Sequence, residues 1–434
     1  MITLLMFFAQ SGWSQEQTKK WDLATCIDYA MKQNIQIKKS KITLQESQED
    51  TKTAKAAMFP SLSFSSSHNY VSRPLNNVEG TARNSYSGDY GFNADLTVYD
   101  GSKRTKTIEQ SSIQNRIKEL SISQAENNIQ LTILQDYVQI LYAYESVKTN
   151  KSTVDLSLAQ LNRTKELFRA GSKSKSDVAQ LESQYSTDKY QLVVAENTLK
   201  NYKLQLKQLL ELSGDEEMDL ELPELQEASA LVALPNKMDV YNTALTIMPE
   251  IKSSKLTTQS ANMDVSIAKT GYMPTVSLTA GIGTSHTTGT DFTFGQQVKN
   301  GWNNSIGLSV SVPIFDNRKT KSAIQKAKLQ VIDSELSELN EQKTLFKTIE
   351  TIYLDAVSYQ NRFKAAAEKL QSTKTSYELI NEQFALGMKN TVELLTEKND
   401  LLSAQQEVLQ AKYMTILNMQ LLKFYQGEQI ALKN

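Results

Sequence analysis

The chain has 434 residues, with Lys+Arg 47 against Asp+Glu 48 and a formal net charge of −1. That balance leaves no basic excess to hold a phosphate backbone and argues against nucleic acid as a partner. Glycine and proline are scarce, at 16 and 7, so long uninterrupted helices are expected.

An apolar run over 2–9, followed by small and polar residues over 11–15, reads as the end of a secretory signal whose basic start lies outside this sequence. Helical spacing then covers 22–58, with a weak point near Asn34. The single cysteine, Cys26, falls on that spacing with Leu23, Ile27 and Ala30 and reads as a small buried side chain, not a reactive thiol. It is no lipidation site, because 15–22 is polar and charged where an apolar segment would be needed.

Two strand-like stretches follow, 61–72 and 85–99, and then a helical stretch over 102–170. As one straight helix it would run roughly 100 Å, a length with no use in an ordinary globular core. Its apolar positions step by three and four: Ile113, Ile117, Leu120, then Ile129, Ile133, Tyr137, Ile140 and Tyr144. The seam Ile129, Ile133, Tyr137 and Ile140 is expected to pack between neighbouring helices, so that a charge at Ile133 should prevent assembly. A break over 171–176 precedes a shorter helix to about 212. An acidic connector with Pro223 and Pro235 covers 213–237.

The second half repeats the first. Pro60-Ser61-Leu62 aligns with Pro274-Thr275-Val276 at an offset of 214. Val98-Tyr99-Asp100 aligns with Ile314-Phe315-Asp316, and Phe168 to Gly171 with Phe384 to Gly387, at an offset of 216. A period this long reads as an old duplication, not a solenoid. The second copy places helices at 238–270 (restarted at Pro249), 318–386 and 391–427, and strands at 275–288 and 303–313.

The strands alternate. Phe92, Leu96 and Val98 share one face; so do Val276 and Leu278, and likewise Ile306, Leu308 and Val310, each set with small polar residues between. Short segments that are apolar outward and small-polar inward are the signature of a membrane barrel with lipid outside and water inside. Tyr70, Tyr86, Tyr90, Phe292, Phe294 and Trp302 toward the hairpin loops, and Phe59, Tyr99, Tyr272 and Phe315 toward the helices, would form two aromatic girdles. A soluble sheet lying on helices is the competing reading of alternation alone. No stretch after the N-terminal run approaches the roughly 20 apolar residues of a spanning helix, so any membrane crossing must be a closed barrel. Four strands cannot close one, and open edges in lipid leave unpaired backbone groups. The chain is therefore expected to oligomerise; three copies would give twelve strands.

No Gly-rich phosphate loop, nucleophile elbow or His pair at metal spacing occurs, so an enzyme is not expected, and neither a cofactor nor a metal site is assigned. An elongated coiled-coil periplasmic adaptor or scaffold would explain the helices but not four strands placed in register by the duplication.

The entry pattern Asp22-Leu23-Ala24 through Ala30, the two Pro-led strand starts, the two strand exits, and the two turns (Gly171 followed six residues later by Asp177-Val178, Gly387 followed six later by Glu393-Leu394-Leu395) occur in an order that resembles the TolC-like outer-membrane efflux proteins. The resemblance covers nearly the whole chain after the N-terminal run. It implies a mixed α/β membrane protein: a homotrimer with a 12-stranded outer-membrane β-barrel, four strands per chain, continuous with a long periplasmic α-helical barrel. It implies an exit duct of a tripartite efflux pump or type I secretion system, sited in outer-membrane lipid. Its partners are a periplasmic adaptor (membrane fusion protein) and an inner-membrane RND or ABC pump, and the cargo is set by that pump.

On this pattern the chain divides into a signal remnant (1–15), a periplasmic helix (16–58), a barrel hairpin (59–100) and a helical hairpin (101–212) with its tip at 171–176. An equatorial connector (213–237) follows, then a second helix (238–273), a second barrel hairpin (274–316), a second helical hairpin (317–427) with its tip at 387–392, and a tail (428–434). The resemblance gives the tips two roles. Gly171, Ser174, Asp177, Val178, Gly387, Asn390 and Leu394 are candidates for adaptor docking. Asp177, Lys389, Glu393 and Thr396 are candidates for the gate and its latch, with Asp177 meeting Lys389 across the turns. The family's second gate acid falls on Thr396 and its latch arginine on Lys389, which lacks arginine's planar two-point contact. The residues by themselves allow a plainer role, since Ser174/Asp177 and Asn390/Glu393 have capping-box spacing.

Overall fold

A computed structural model of the chain describes residues 20–75, 83–213, 218–223, 225–227 and 231–432; the expected signal remnant, 1–15, lies outside them. The elements in order are α1 (Leu23–Gln33), α2 (Ile35–Ala56), β1 (Ser61–Ser72), β2 (Asn84–Tyr99), α3 (Lys103–Arg169), α4 (Lys175–Leu209), α5 (Lys237–Ile247), α6 (Pro249–Lys269), β3 (Thr275–Thr287), α7 (Phe294–Asn300), β4 (Asn303–Ser311), α8 (Lys319–Ala385) and α9 (Thr391–Tyr425). The break at Asn34 has a local cause: its side chain accepts from the Gln36 N–H at 2.8 Å, which starts α2 afresh. Pro249 opens α6, where its missing N–H costs nothing. The seven-residue α7, which the alternation reading left unassigned, starts from a capping box of Thr293 and Gln296.

The chain forms two compact units: Lys39–Ser123 with Pro249–Lys343, and Met1–Lys38 with Gln124–Met248 and Thr344–Asn434. The first holds an antiparallel sheet in the order β1-β2-β3-β4. Opposed residues share a face, so Phe64/Phe92/Ile282, Leu96/Leu278/Leu308 and Val276/Val310 build one apolar surface. Among the described residues nothing covers most of it: Ile306 is 84% exposed, Leu308 68% and Phe92 52%. The register slips at Val98, so that Val98 and Tyr99 together stand opposite Val276 and Tyr99 joins the apolar face. Both strand exits turn through positive φ, at Gly101 and Ser102 and again at Asn317 and Arg318. Asp100 and Asp316 then accept from the backbone N–H groups of Arg104 (3.2 Å) and Thr320 (2.8 Å). In this unit short polar side chains tie helix to helix: Ser47 of α2 donates to Asn115 of α3 at 2.6 Å, and Gln110 of α3 donates to Asp264 of α6 at 2.7 Å.

The second unit has the larger apolar core. Leu23, Cys26, Ala30, Ile133, Tyr137, Ile140, Leu206, Leu210, Leu220 and Ile416 belong to one buried cluster drawn from α1, α3, α4, the connector and α9. The seam Ile129, Ile133, Tyr137 and Ile140 thus packs between neighbouring helices as expected, with Ile133 fully buried inside its own chain. Tyr144 leaves the seam, at 42% exposed, while Leu141 and Ala143 enter it. A helix turns by 3.6 residues, so over many turns a stripe that steps by three and four drifts around the axis.

Candidate functional site: the paired helix turns

The two helical hairpins turn in the same way. At the end of α3, Gly171 has φ +77, its N–H donates to the Phe168 carbonyl at 3.0 Å, and the Ser172 N–H donates to the Leu167 carbonyl at 2.8 Å. At the end of α8, Gly387 has φ +75, its N–H donates to the Phe384 carbonyl at 3.1 Å, and the Met388 N–H donates to the Gln383 carbonyl at 2.9 Å. Among the described residues nothing lies within 4 Å of the point a Cβ would occupy at either glycine. Glycine is favoured here by the left-handed backbone, not by crowding.

A capping box opens the next helix in each case. The Asp177 N–H donates to Ser174 Oγ at 3.1 Å and the Ser174 N–H to Asp177 Oδ2 at 2.9 Å. The Glu393 N–H donates to Asn390 Oδ1 at 2.9 Å and the Asn390 N–H to Glu393 Oε2 at 3.0 Å. Each acid thus satisfies backbone donors at a helix start, as the spacing indicated.

Capping does not exhaust their contacts. Thr391 Oγ1 donates to Asp177 Oδ1 at 2.5 Å, joining the second turn to the first. Lys389 pairs with Glu393 on its own turn, also at 2.5 Å. The expected pairing of Asp177 with Lys389 is therefore replaced within the chain. Lys389 and Glu393 stand four residues apart, on one side of the helix start, where an ion pair forms without help from another element. The Thr391 and Ser174 hydroxyls hold the Asp177 carboxyl below the usual carboxylate range. The Asn390 N–H, and then Lys389, do the same for Glu393. Thr396 is exposed and its hydroxyl donates back to the Val392 carbonyl at 3.0 Å. Leu394 is fully buried against Tyr377 and Phe384, and Lys173 sits over the Phe384 ring at 4.0 Å. Val178 is half-buried.

One cluster had no reading in the sequence. Lys398 of α9 is 2% exposed and donates to Asp188 of α4 (3% exposed) and to Ser157 of α3. Gln184 donates to the second Asp188 oxygen at 2.9 Å. Burial pushes the Lys398 ammonium below the ordinary lysine value, and Asp188 pulls it partly back. A trace was visible, since Thr391, Leu394 and Lys398 step by three and four along a buried stripe. The partners were not, because they lie on other helices.

The chain also resembles known proteins over most of its length. The family model for outer membrane efflux proteins matches residues 26–211 and 240–428. The outer membrane protein TolC of Escherichia coli (strain K12) is 21% identical over 430 residues, covering 96% of this chain and 84% of that protein. The alkaline protease secretion protein AprF of Pseudomonas aeruginosa is 22% identical over 299 residues, 67% of this chain and 61% of that one. The crystal structure of the outer membrane protein VceC from Vibrio cholerae superposes with a TM-score of 0.74 at 15% identity, covering 94% of this chain and 97% of that one. With a duplicated helical hairpin, an apolar-faced four-stranded sheet and a family match through both halves, the chain belongs to the outer membrane efflux protein family.

Proposed function

We propose that three copies of this outer membrane efflux protein close a single exit duct, through which an inner-membrane pump and a periplasmic adaptor discharge their cargo to the exterior. The observation that carries this is the sheet: β1 and β4 are its edges, and among the described residues most of the apolar surface on one face is uncovered. Unpaired edges in lipid cost several kcal/mol per backbone group, and head-to-tail pairing of three sheets removes them all. The polar faces, with Ser65, Asp89, Gly91, Asn93 and Ser305, would then line a wet lumen, while Phe92, Leu96, Val98, Val276, Leu278, Ile306, Leu308 and Val310 meet lipid.

In this reading the two turns form the mouth. Asp177, Lys389, Glu393 and Thr396 of each copy bias it toward closure, and Gly171, Ser174, Asp177, Val178, Gly387 and Asn390 shape the surface that receives the adaptor, with Leu394 buried beneath it and not available for direct contact. The pump is of the RND or ABC class and selects the cargo. Light scattering of the detergent-solubilised protein tests the assembly, and planar-bilayer recording tests the duct. The expected results are the mass of three chains and a discrete conductance; a stable monomer in mild detergent overturns the proposal.

A further inference from the structure

We propose that His68 and His286 form a site for a transition-metal ion of the Zn2+, Cu2+ or Ni2+ class on the apolar face of the sheet. These are both of the histidines in the chain. They stand on β1 and β3, and the ladder sets them on either side of one residue of β2: His68 is opposite Gly88, and Gly88 is opposite His286. Residues opposed in this way project from one face, so both imidazoles rise on the same side, above a residue with no side chain.

The glycine lets them converge. The point a Gly88 Cβ would occupy lies 2.9 Å from His286 Nδ1 and 3.1 Å from His68 Nδ1. Both ring nitrogens thus approach one spot. His286 Nδ1 is buried and has no hydrogen-bond partner among the described residues. A buried imidazole nitrogen is ordinarily satisfied by protein, water or an ion; here the Cε1–Nδ1 edge of His286 and the Nδ1 of His68 border the same space above Gly88.

The rings around the pair hold it in place. Tyr86 stacks on His68 at 5.8 Å between centroids, Tyr90 stacks on His286 at 5.8 Å, and Phe294 meets the edge of His286 at 4.9 Å. His68 Nε2 lies 3.0 Å from Ser66 Oγ and its Nδ1 lies 2.8 Å from the Tyr86 hydroxyl. With Nε2–H donating to Ser66, Nδ1 carries the lone pair, which now accepts from Tyr86 and would be given to the metal once that hydroxyl swings aside. Such outer hydrogen bonds set the tautomer and orientation of metal-binding histidines.

The donor set names the ion class. Two neutral imidazoles suit Zn2+, Cu2+ and Ni2+, whereas Ca2+ and Mg2+ need oxygen ligands. The register puts Asp89 and Asp95, the acids of β2, on the opposite face. The pair stands at the hairpin-loop end of this face, among the aromatic residues of the girdle, where water completes the coordination shell and the bound ion ties β1 to β3 across β2.

The test is Zn2+ titration of the metal-free, detergent-solubilised full chain against a chelating dye, with Cu2+ electron paramagnetic resonance as a second readout. One Zn2+ per chain and a Cu2+ signal with two nitrogen ligands are expected. His68→Ala, His286→Ala and Gly88→Ala should each weaken Zn2+ binding at least about tenfold, by analogy with losses at metal sites whose surroundings are altered. Gly88→Ala is the telling variant, because it keeps both histidines and fills the point of convergence. Oligomeric mass and conductance, measured on the same samples, should not change, which separates this site from the duct reading. Failure of the unaltered chain to bind Zn2+ would mean that a bridging water alone satisfies His286 and would overturn the site. Zn2+ binding undiminished in the double histidine variant would overturn it equally, as adventitious surface binding.

Discussion

The Thr391 hydroxyl donates to Asp177 across the two helix turns at 2.5 Å, joining residues 214 positions apart. Thr391 is 1% exposed and fixed at the first position of α9, so one short bond couples the two capping boxes. The tie is a hydrogen bond to a carboxylate, where the family resemblance had led to an ion pair with Lys389. Its strength therefore depends less on salt than that of an exposed ion pair.

Thr391→Val removes this tie and leaves the Ser174 cap on Asp177 intact. A lost hydrogen bond to a charged partner costs about 1.5–3 kcal/mol. The variant should melt earlier and show a higher single-channel conductance, whereas Lys389→Ala should change the tie little. Bilayer recording and thermal unfolding check this; if Thr391→Val matches the parent in both, the bond has no part in the gate.

The acids also set a pH window. Asp177 and Glu393 are both held below the usual carboxylate range. A carboxyl with a depressed folded-state pKa stabilises the fold fully above its unfolded value, about 3.9 for Asp and 4.3 for Glu, and loses that contribution as pH falls through the folded value. Conductance should thus stay flat from pH 7 to about pH 5 and change only below about pH 4. A midpoint between pH 5 and 7 would exclude these two acids as the titrating groups.

The buried pair of Lys398 and Asp188 makes a stability prediction. Asp188→Ala strands an ammonium among α3, α4 and α9, and breaking a buried pair in this way costs about 3–5 kcal/mol. The double change Lys398→Met with Asp188→Leu removes both charges and should be nearly neutral or stabilising. Denaturant titration of the purified protein distinguishes them. Equal destabilisation by the single and double changes would show that packing volume, not charge, is what matters there.

Gly171 offers a way to separate docking from capping. Ala at its left-handed φ costs about 1–2 kcal/mol, while Asn tolerates that backbone. Gly171→Asn should keep the trimer and its melting temperature. If the turn contacts the adaptor, the same variant loses adaptor capture in a pull-down; full capture would leave Gly171 only a helix terminator.

The two faces of the sheet should respond oppositely to charge. Ile306→Lys puts an ammonium on the uncovered apolar face, costing about 2–4 kcal/mol at mid-bilayer. Ser305→Lys, one residue away on the other face, should assemble normally and alter ion selectivity. Outer-membrane yield of trimer measures the first, and reversal potential the second. Equal yields of both variants would contradict the lipid-facing assignment.

The order of the strands and of every helix but the short α7, the alternation of the strands and the form of the two turns were legible in the sequence because each rests on local physics. Period 2 and period 3.6 are read from neighbours, positive φ selects glycine at 171 and 387, and S/T/N-x-x-D/E spacing marks a helix start. The duplication added reach, since a weak pattern seen twice is no longer weak. What the sequence left open was every relation across elements. Nothing local chose Thr391 over Lys389 as the partner of Asp177, brought Ser157 and Asp188 to Lys398, or placed His68 and His286 on either side of Gly88. Those choices depend on which side of a 67-residue helix faces inward after many turns, and on which residues a ladder sets opposite one another. Small departures in helical phase and a one-residue bulge at Val98 accumulate along the chain, so only the folded structure decides them.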